Sequence, residues 1–319
     1  MQLKQIISMF VKYQKLVKNE VNKSAVKIYL DMIYCSIKYG ASPANYYKFD
    51  FFKDGIYKSS FVTNHVSSKM IKKYNSKEAI DAFEDKISFM ETYKDFTKRI
   101  YIAYPQCTKQ QYEEFRNNNT SFIAKPVNGS QGQGIMVFHN NLDFKSLSKS
   151  LGKNRYIIEP FILQHQELNS FYDKAINCVR VITVLKENNV HFLVGNITFG
   201  YEYEIANASY GGITCEIDID TGIIVSDGGQ YGHRTYIEHP YSGKVFKGYK
   251  IPYWSDVKQL IKNACYITPK IAYVGWDIAI TPDGPIIIEG NSSPGYTYFQ
   301  IPQLLQNGEG VKNCYKEFI

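Results

Sequence analysis

YVGWDIAITPDGPIIIEGNSSPG, residues 273–295, holds two apolar runs on either side of the turn-rich Thr281-Pro282-Asp283-Gly284-Pro285. That pattern predicts a β-hairpin. Glu289 and Asn291 stand two apart on its second strand, so their side chains leave the same face. Asp277 lies on the first strand, where the hairpin folds it opposite them. Two carboxylates and an amide oxygen meeting at one point suit a hard divalent ion such as Mg²⁺ held on phosphate oxygens, with Mn²⁺ as the alternative. The competing reading is a hairpin with ordinary polar positions. Against it, Ile286-Ile287-Ile288 reads as a buried strand, and burying Glu289 without a partner is costly. The hairpin points to a protein that handles a nucleotide.

The rest of the chain is compatible with that. At 319 residues it predicts about two domains, or one domain with lobes. A hydrophobic share of 44% and a charged share of 21% are ordinary for a globular protein, and no apolar run is long enough to span a bilayer. The first residues lack a signal peptide's sustained apolar stretch. Cys35, Cys107, Cys178, Cys215, Cys265 and Cys314 are scattered without a Cys-x-x-Cys pair, which argues against zinc and predicts reduced thiols in a cytoplasm. A formal charge of +7 suits an anionic substrate, a nucleotide or a membrane surface. Lysines are spread along the chain without a block of like charge, so no nucleic-acid partner is expected.

Residues 2–39 read as helical, with Ile6, Met9, Phe10, Tyr13, Leu16, Val17 and Val21 at helical spacing. This stripe is read as a core face, with membrane-surface attachment as the alternative. Gly40-Ala41-Ser42-Pro43 breaks it, 46–63 is aromatic and irregular, and 77–98 is again helical in pattern. Short strands follow from about residue 100. They include 122–126, 135–138, 156–158, a hairpin of 179–185 with 190–194, and 215–219, before a helix over 255–267. Strands joined mostly by turns predict an α+β fold.

Gly129-Ser130-Gln131-Gly132-Gln133-Gly134 lies between two of these strands. Gly129, Gly132 and Gly134 let the backbone approach an anion closely and present its N–H groups, together with Ser130. No Gly-Lys-Ser/Thr follows, and the loop leads into a strand, so it is neither a Walker loop nor a dinucleotide fingerprint. With Lys125 at the end of the incoming strand, it reads as a lid whose amides and lysine hold ATP phosphates; the alternative is a flexible hairpin. Arg180, in the apolar run Val179-Arg180-Val181-Ile182, is either buried in an ion pair or aimed into a site, where it would grip a carboxylate or phosphate.

These residues carry a family resemblance. From about residue 85 to 300 the chain resembles an ATP-grasp enzyme, and more narrowly the sugar-transfer-associated ATP-grasp proteins of bacterial polysaccharide gene clusters. The narrow likeness rests on Gln164-His165-Gln166-Glu167-Leu168, Asn177-Cys178-Val179-Arg180-Val181-Ile182-Thr183 and Gly211-Gly212-Ile213, with His239-Pro240, 249–254 and 275–280 in the same order; 40–47 matches the N-terminal part. The resemblance implies two α+β lobes gripping ATP. Residues 1–75 would form a helical and irregular N-terminal segment, 76–160 the lobe with the glycine lid, and 161–319 the lobe with the metal site. Lys86 and Lys125 would hold phosphates. Glu159-Pro160-Phe161-Ile162 would be the hinge, where Glu159 and the Ile162 backbone read the adenine edge beside Phe161. Glu167 would accept from the ribose hydroxyls, and Asp277, Glu289 and Asn291 would hold the metal.

In such ligases an arginine like Arg180 steadies the substrate carboxylate and the acyl phosphate formed from it. With Lys125 it makes the expected catalytic pair. The implied activity couples a carboxylate, a sugar acid or nucleotide sugar, to an amino acid or small amine in capsule or surface polysaccharide synthesis. A kinase on the same fold and a non-catalytic nucleotide-binding scaffold are the alternatives. Acceptor contacts are expected within 200–240, among Tyr201, Tyr203, Tyr210, Gly211, Gly212, Tyr231, His233 and Arg234. The N-terminal segment would cap a lobe, shape the acceptor site or dock a glycosyltransferase.

Overall fold

A computed structural model of the chain describes residues 3–129, 132–139, 142–202, 208, 211–230, 232 and 234–319. Ser130 of the glycine loop, and Tyr203, Tyr210, Tyr231 and His233 of the expected acceptor segment, lie outside the described residues.

The helical pattern over 2–39 resolves into two packed helices, α1 (Leu3–Glu20) and α2 (Ala25–Tyr39). The break comes at Ser24, whose hydroxyl accepts from the Lys27 N–H and starts a second helix. Gly40, with φ 63°, ends α2 in the left-handed conformation that a side chain disfavours. Val17 of α1 and Ile28, Met32 and Cys35 of α2 share a core with Phe49, Phe51, Phe52 and Phe61, and Phe10, Tyr13 and Val21 pack against it. Of the stripe singled out on α1, Phe10, Tyr13, Val17 and Val21 thus join the core, while Ile6, Met9 and Leu16 are partly exposed. Next come α3 (Pro43–Lys48), opened by a Ser42–Asn45 capping box, and α4 (Asn64–Tyr74), which the sequence pattern does not predict. Gln300 accepts from the Val62 N–H and donates to its carbonyl, fastening this segment to the chain beyond the 273–291 hairpin.

Three short helices lead into the rest: α5 (Lys77–Glu84), α6 (Lys86–Thr92) and α7 (Lys94–Thr97). A smaller sheet follows, built from β1 (Ile102–Tyr104), β2 (Ser121–Pro126), β3 (Met136–His139) and β4 (Tyr156–Pro160) in the order β1-β4-β2-β3, all neighbours antiparallel. Helices α8 (Lys109–Asn118) and α9 (Phe144–Leu151) bury Tyr112, Phe115, Leu147 and Leu151 against it. Between β2 and β3 runs the glycine loop, where the sequence sets it.

After the short α10 (Gln166–Asn169) the chain builds a larger antiparallel sheet from β5 (Cys178–Lys186), β6 (Asn189–Phe199), β7 (Ile213–Ile217), β8 (Gly228–Gln230), β9 (Arg234–Tyr236), β10 (Tyr273–Thr281) and β11 (Gly284–Asn291). Its order is β11-β10-β5-β6-β7-β8-β9. Helix α11 (Trp254–Cys265) buries Trp254, Val257 and Ile261 with Val181, Trp276, Ile278 and Ile280 of the sheet. Phe83, Phe89 and Tyr93 join this same core, so α5 and α6 pack on β11 and not on the smaller sheet with which sequence order groups them. Gly290 permits that approach: a Cβ there would stand 2.6 Å from the Phe83 ring and 2.9 Å from the Phe89 ring. Helix and sheet mixed in this way make the fold α+β.

Candidate active site

The β10–β11 hairpin pairs Asp277 with Glu289 and Gly275 with Asn291, so the three expected ligands lie on one face of two neighbouring strands. Their neighbours Trp276, Ile278 and Ile287 turn to the opposite face and anchor the hairpin in the core. On the other side of β10, β5 sets Arg180 in register with Asp277. Arg180 Nε donates to Asp277 Oδ1, and its NH2 group donates to Oδ2 at 2.6 Å. Burial pushes the Asp277 carboxyl above the ordinary carboxylate range; Arg180 opposes that shift and Glu289 adds to it. Arg180 is thus paired with Asp277, and Glu289 adds a second carboxylate beside it.

The facing wall comes from the smaller sheet. Lys125 on β2 sits 2.7 Å from Glu159 Oε2 on β4, and Arg99 reaches Glu159 Oε1 at 2.5 Å. Burial alone would raise the Glu159 carboxyl, but Arg99 and Lys125 outweigh it and hold it below the usual range. Arg99 NH2 also donates to the Ile288 carbonyl at 2.7 Å, next to Glu289. One guanidinium therefore ties β4 of the smaller sheet to β11 of the larger. Glu159 is 2% exposed, and each carboxylate oxygen meets one cation, so it positions Lys125.

Between the walls lies a cleft of about 460 Å³. Lys86, Lys125, Gly129 and Gly132 line one side, Asp277 and Glu289 the other, and Phe161, Ile162 and Leu163, between β4 and α10, line it as well. Lys86 is the first residue of α6, fixed there because Asp85 caps the helix by accepting from the Ile87 and Ser88 N–H groups. From that position Lys86 Nζ donates to the Gly129 carbonyl at 2.7 Å, linking α6 to the glycine loop. Gly132 and Gly134 have φ of 76° and 73°, so the loop takes turns that other residues disfavour. Asn291 faces a small adjoining recess that Lys86, Lys125, Glu159 and Glu289 also line. Phe161 stacks on His139 of β3, with ring centroids 5.8 Å apart.

Glu167 is not brought to the cleft. His165 caps α10 by accepting from the Glu167 N–H, and the Glu167 carboxylate turns out to accept from Tyr249. At that level Asp173 and Lys174 line the cleft instead. Sequence reading missed these two and Arg99. None sits in a distinctive motif; Arg99 is 60 residues from Glu159 and 189 from Ile288, so only the tertiary fold unites them. Of the described acceptor candidates, Tyr201 contacts the rings of Tyr236 and His239. His239 itself is buried, and its Nε2 pairs with the Gly200 carbonyl at 2.8 Å.

The arrangement suits a triphosphate lying across the cleft, with lysines and loop amides on one flank and acids on the other. Asp277, Glu289 and Asn291 are hard oxygen donors, two of them carboxylates, so these residues fit Mg²⁺. Among the described residues, no three His, Cys, Asp or Glu side chains group as a metal centre by themselves. The remaining ligands would be phosphate oxygens.

The sequence profile of the sugar-transfer associated ATP-grasp family matches residues 65–318. No curated protein matches the chain. Similar solved structures include N5-carboxyaminoimidazole synthetase from Staphylococcus aureus complexed with ADP. It is 13% identical with a TM-score of 0.45, over 70% of this chain and 48% of that one. The ATP-grasp ligase PsnB complexed with minimal precursor, Mg and ADP is 14% identical with a TM-score of 0.45, over 76% and 60%. D-alanyl-alanine synthetase A from Vibrio cholerae is 14% identical with a TM-score of 0.45, over 74% and 64%. The chain thus spans less than two thirds of each of these proteins.

Proposed function

The chain belongs to the sugar-transfer associated ATP-grasp family, and from that premise we propose that it is an ATP-dependent ligase joining a carboxylate to an amine. The observation that carries the reading is the meeting in one cleft of Lys86, Lys125 and the glycine loop with Asp277 and Glu289, with Arg180 bonded to Asp277.

Lys86 and Lys125 bind the phosphates of ATP and offset charge on the γ-phosphoryl group as it transfers. Glu159 holds Lys125 in place, and Arg99 holds Glu159. Asp277, Glu289 and Asn291 would hold Mg²⁺, which would neutralise phosphate charge. Arg180, steadied by Asp277, orients the substrate carboxylate with its free N–H edge. One carboxylate oxygen attacks the γ-phosphorus and ADP leaves, giving an acyl phosphate. The amine then attacks the acyl carbon, phosphate departs, and the amine proton passes to solvent or phosphate. The amide forms without a protein nucleophile, and the closed glycine loop excludes water from the labile intermediate. On this reading the carboxylate is a sugar acid and the amine an amino acid or small amine in polysaccharide assembly; the sugar-transfer association of the family supports only the sugar part.

Purified protein with Mg-ATP and a panel of uronic acids and amines tests this by mass spectrometry and ADP release. ADP that requires both partners, with a product at the amide mass, supports the ligase. A stable phosphorylated acceptor formed without an amine would make the protein a kinase instead.

A further inference from the structure

Helix α2 is apolar on two opposite faces. Ile28, Met32 and Cys35 are buried in the N-terminal core. Val26, Leu30, Tyr34 and Ile37 recur at spacings of three and four on the far side and are exposed, Leu30 by 59% and Ile37 by 82%. A surface helix ordinarily presents polar residues there. On α1, against which α2 packs through Phe10 and Tyr29, Ile7 and Val11 are exposed as well. A row of exposed apolar side chains along one helix face, as on α2, marks a contact surface.

Charge says which contact. Residues 1–40 hold seven lysines against only Glu20 and Asp31, so most of the chain's formal +7 resides here although no run of like charge announces it. Asp31 is occupied by Tyr46 and Lys58 on the inner side. Lys27 and Lys38 follow Val26 and Ile37 directly and border the stripe, with Lys38 folded over the Tyr34 ring. A two-fold contact between copies sets the same patch against itself and so lysines against lysines. An anionic lipid surface instead takes the apolar stripe at its interface and the lysines at its headgroups.

We propose that the α1–α2 face seats the protein on an anionic membrane surface. The α1 stripe the sequence singled out joins the core through Phe10, Tyr13, Val17 and Val21; the docking stripe is the outer one on α2. Among the described residues no helix is long and apolar enough to cross a membrane, and surface seating requires none.

The test is co-sedimentation of the full chain with phosphatidylcholine vesicles, with and without phosphatidylglycerol. The expected result is binding only to the phosphatidylglycerol vesicles, weakening as salt rises. Lys27→Gln and Lys38→Gln should each cut partitioning about fivefold, and Leu30→Glu with Ile37→Glu should abolish it, while circular dichroism and nucleotide binding match the parent. Equal binding to both vesicles, or none to either, overturns the proposal. So does a doubled mass in sedimentation equilibrium that Ile37→Glu halves, which would give the face to a second copy.

Discussion

Arg180 and Asp277 face each other in register on β5 and β10, and the guanidinium grips both oxygens of the carboxylate. Asp277 lines the cleft beside Glu289, and Arg180 is held on it from β5. It restrains Arg180 for a substrate and partly neutralises Asp277. Arg180→Ala should leave a buried carboxylate uncompensated and cost about 3–5 kcal/mol of stability. Arg180→Lys should keep much of that stability yet lower turnover roughly a hundredfold, because a lysine cannot reproduce the fork. Denaturant unfolding and ADP release separate the two effects; a lysine variant of parental turnover would remove Arg180 from the chemistry.

Glu159 is the anchor of Lys125. Glu159→Gln should weaken ATP binding about tenfold through loss of one charge-assisted contact. Titration calorimetry reads this directly. An unchanged affinity would mean that Lys125 needs no such support.

Glu167 provides the opposite test. Its carboxylate bonds Tyr249 outside the cleft, so Glu167→Ala should leave ATP affinity within about twofold, whereas Lys125→Ala should lose tenfold or more. A large loss for Glu167→Ala would restore it as a ribose ligand.

How far the sequence reaches differs by element. The hairpin was legible because a strand alternates its side chains, so spacing alone puts Glu289 and Asn291 on one face. The glycine loop was legible because glycine marks backbone that must turn sharply. Helix α8 was not recognised, although Thr108 and Gln111 form a capping box at its start, because Lys109–Asn118 is short and strongly polar. Arg99 left no local trace, since its partners come from two distant strands. The contact of Glu167 with Tyr249, 82 residues further on, was not legible either, because no local motif records it.

Gly290 separates Glu289 from Asn291 and lets the aromatic face of α5 and α6 close on β11. Gly290→Ala should cost about 1–3 kcal/mol by overpacking. It should also weaken ATP binding, because Lys86 rides on α6. A stable variant of unchanged affinity would uncouple that packing from the site.

His239 predicts a pH response. Its Nδ1 accepts from the Tyr241 N–H, which leaves the proton on Nε2 facing the Gly200 carbonyl. Burial lowers its pKa below the ordinary 6.5, with the Gly200 contact opposing. The unfolded chain therefore takes up a proton first, so this contribution is complete above pH 6.5 and declines as pH falls below it. His239→Gln should flatten the fall in melting temperature between pH 7.5 and 5.5. Parallel profiles for parent and variant would contradict the assignment.

The central claim is that a substrate carboxylate is phosphorylated and then gives up that phosphate to an amine. A carboxylate accepted in the substrate panel, labelled with ¹⁸O in both carboxyl oxygens, tests it in one turnover. The account predicts that the released phosphate carries one ¹⁸O atom and that the amide keeps the other. Unlabelled phosphate, with both labels retained in the product, would contradict it.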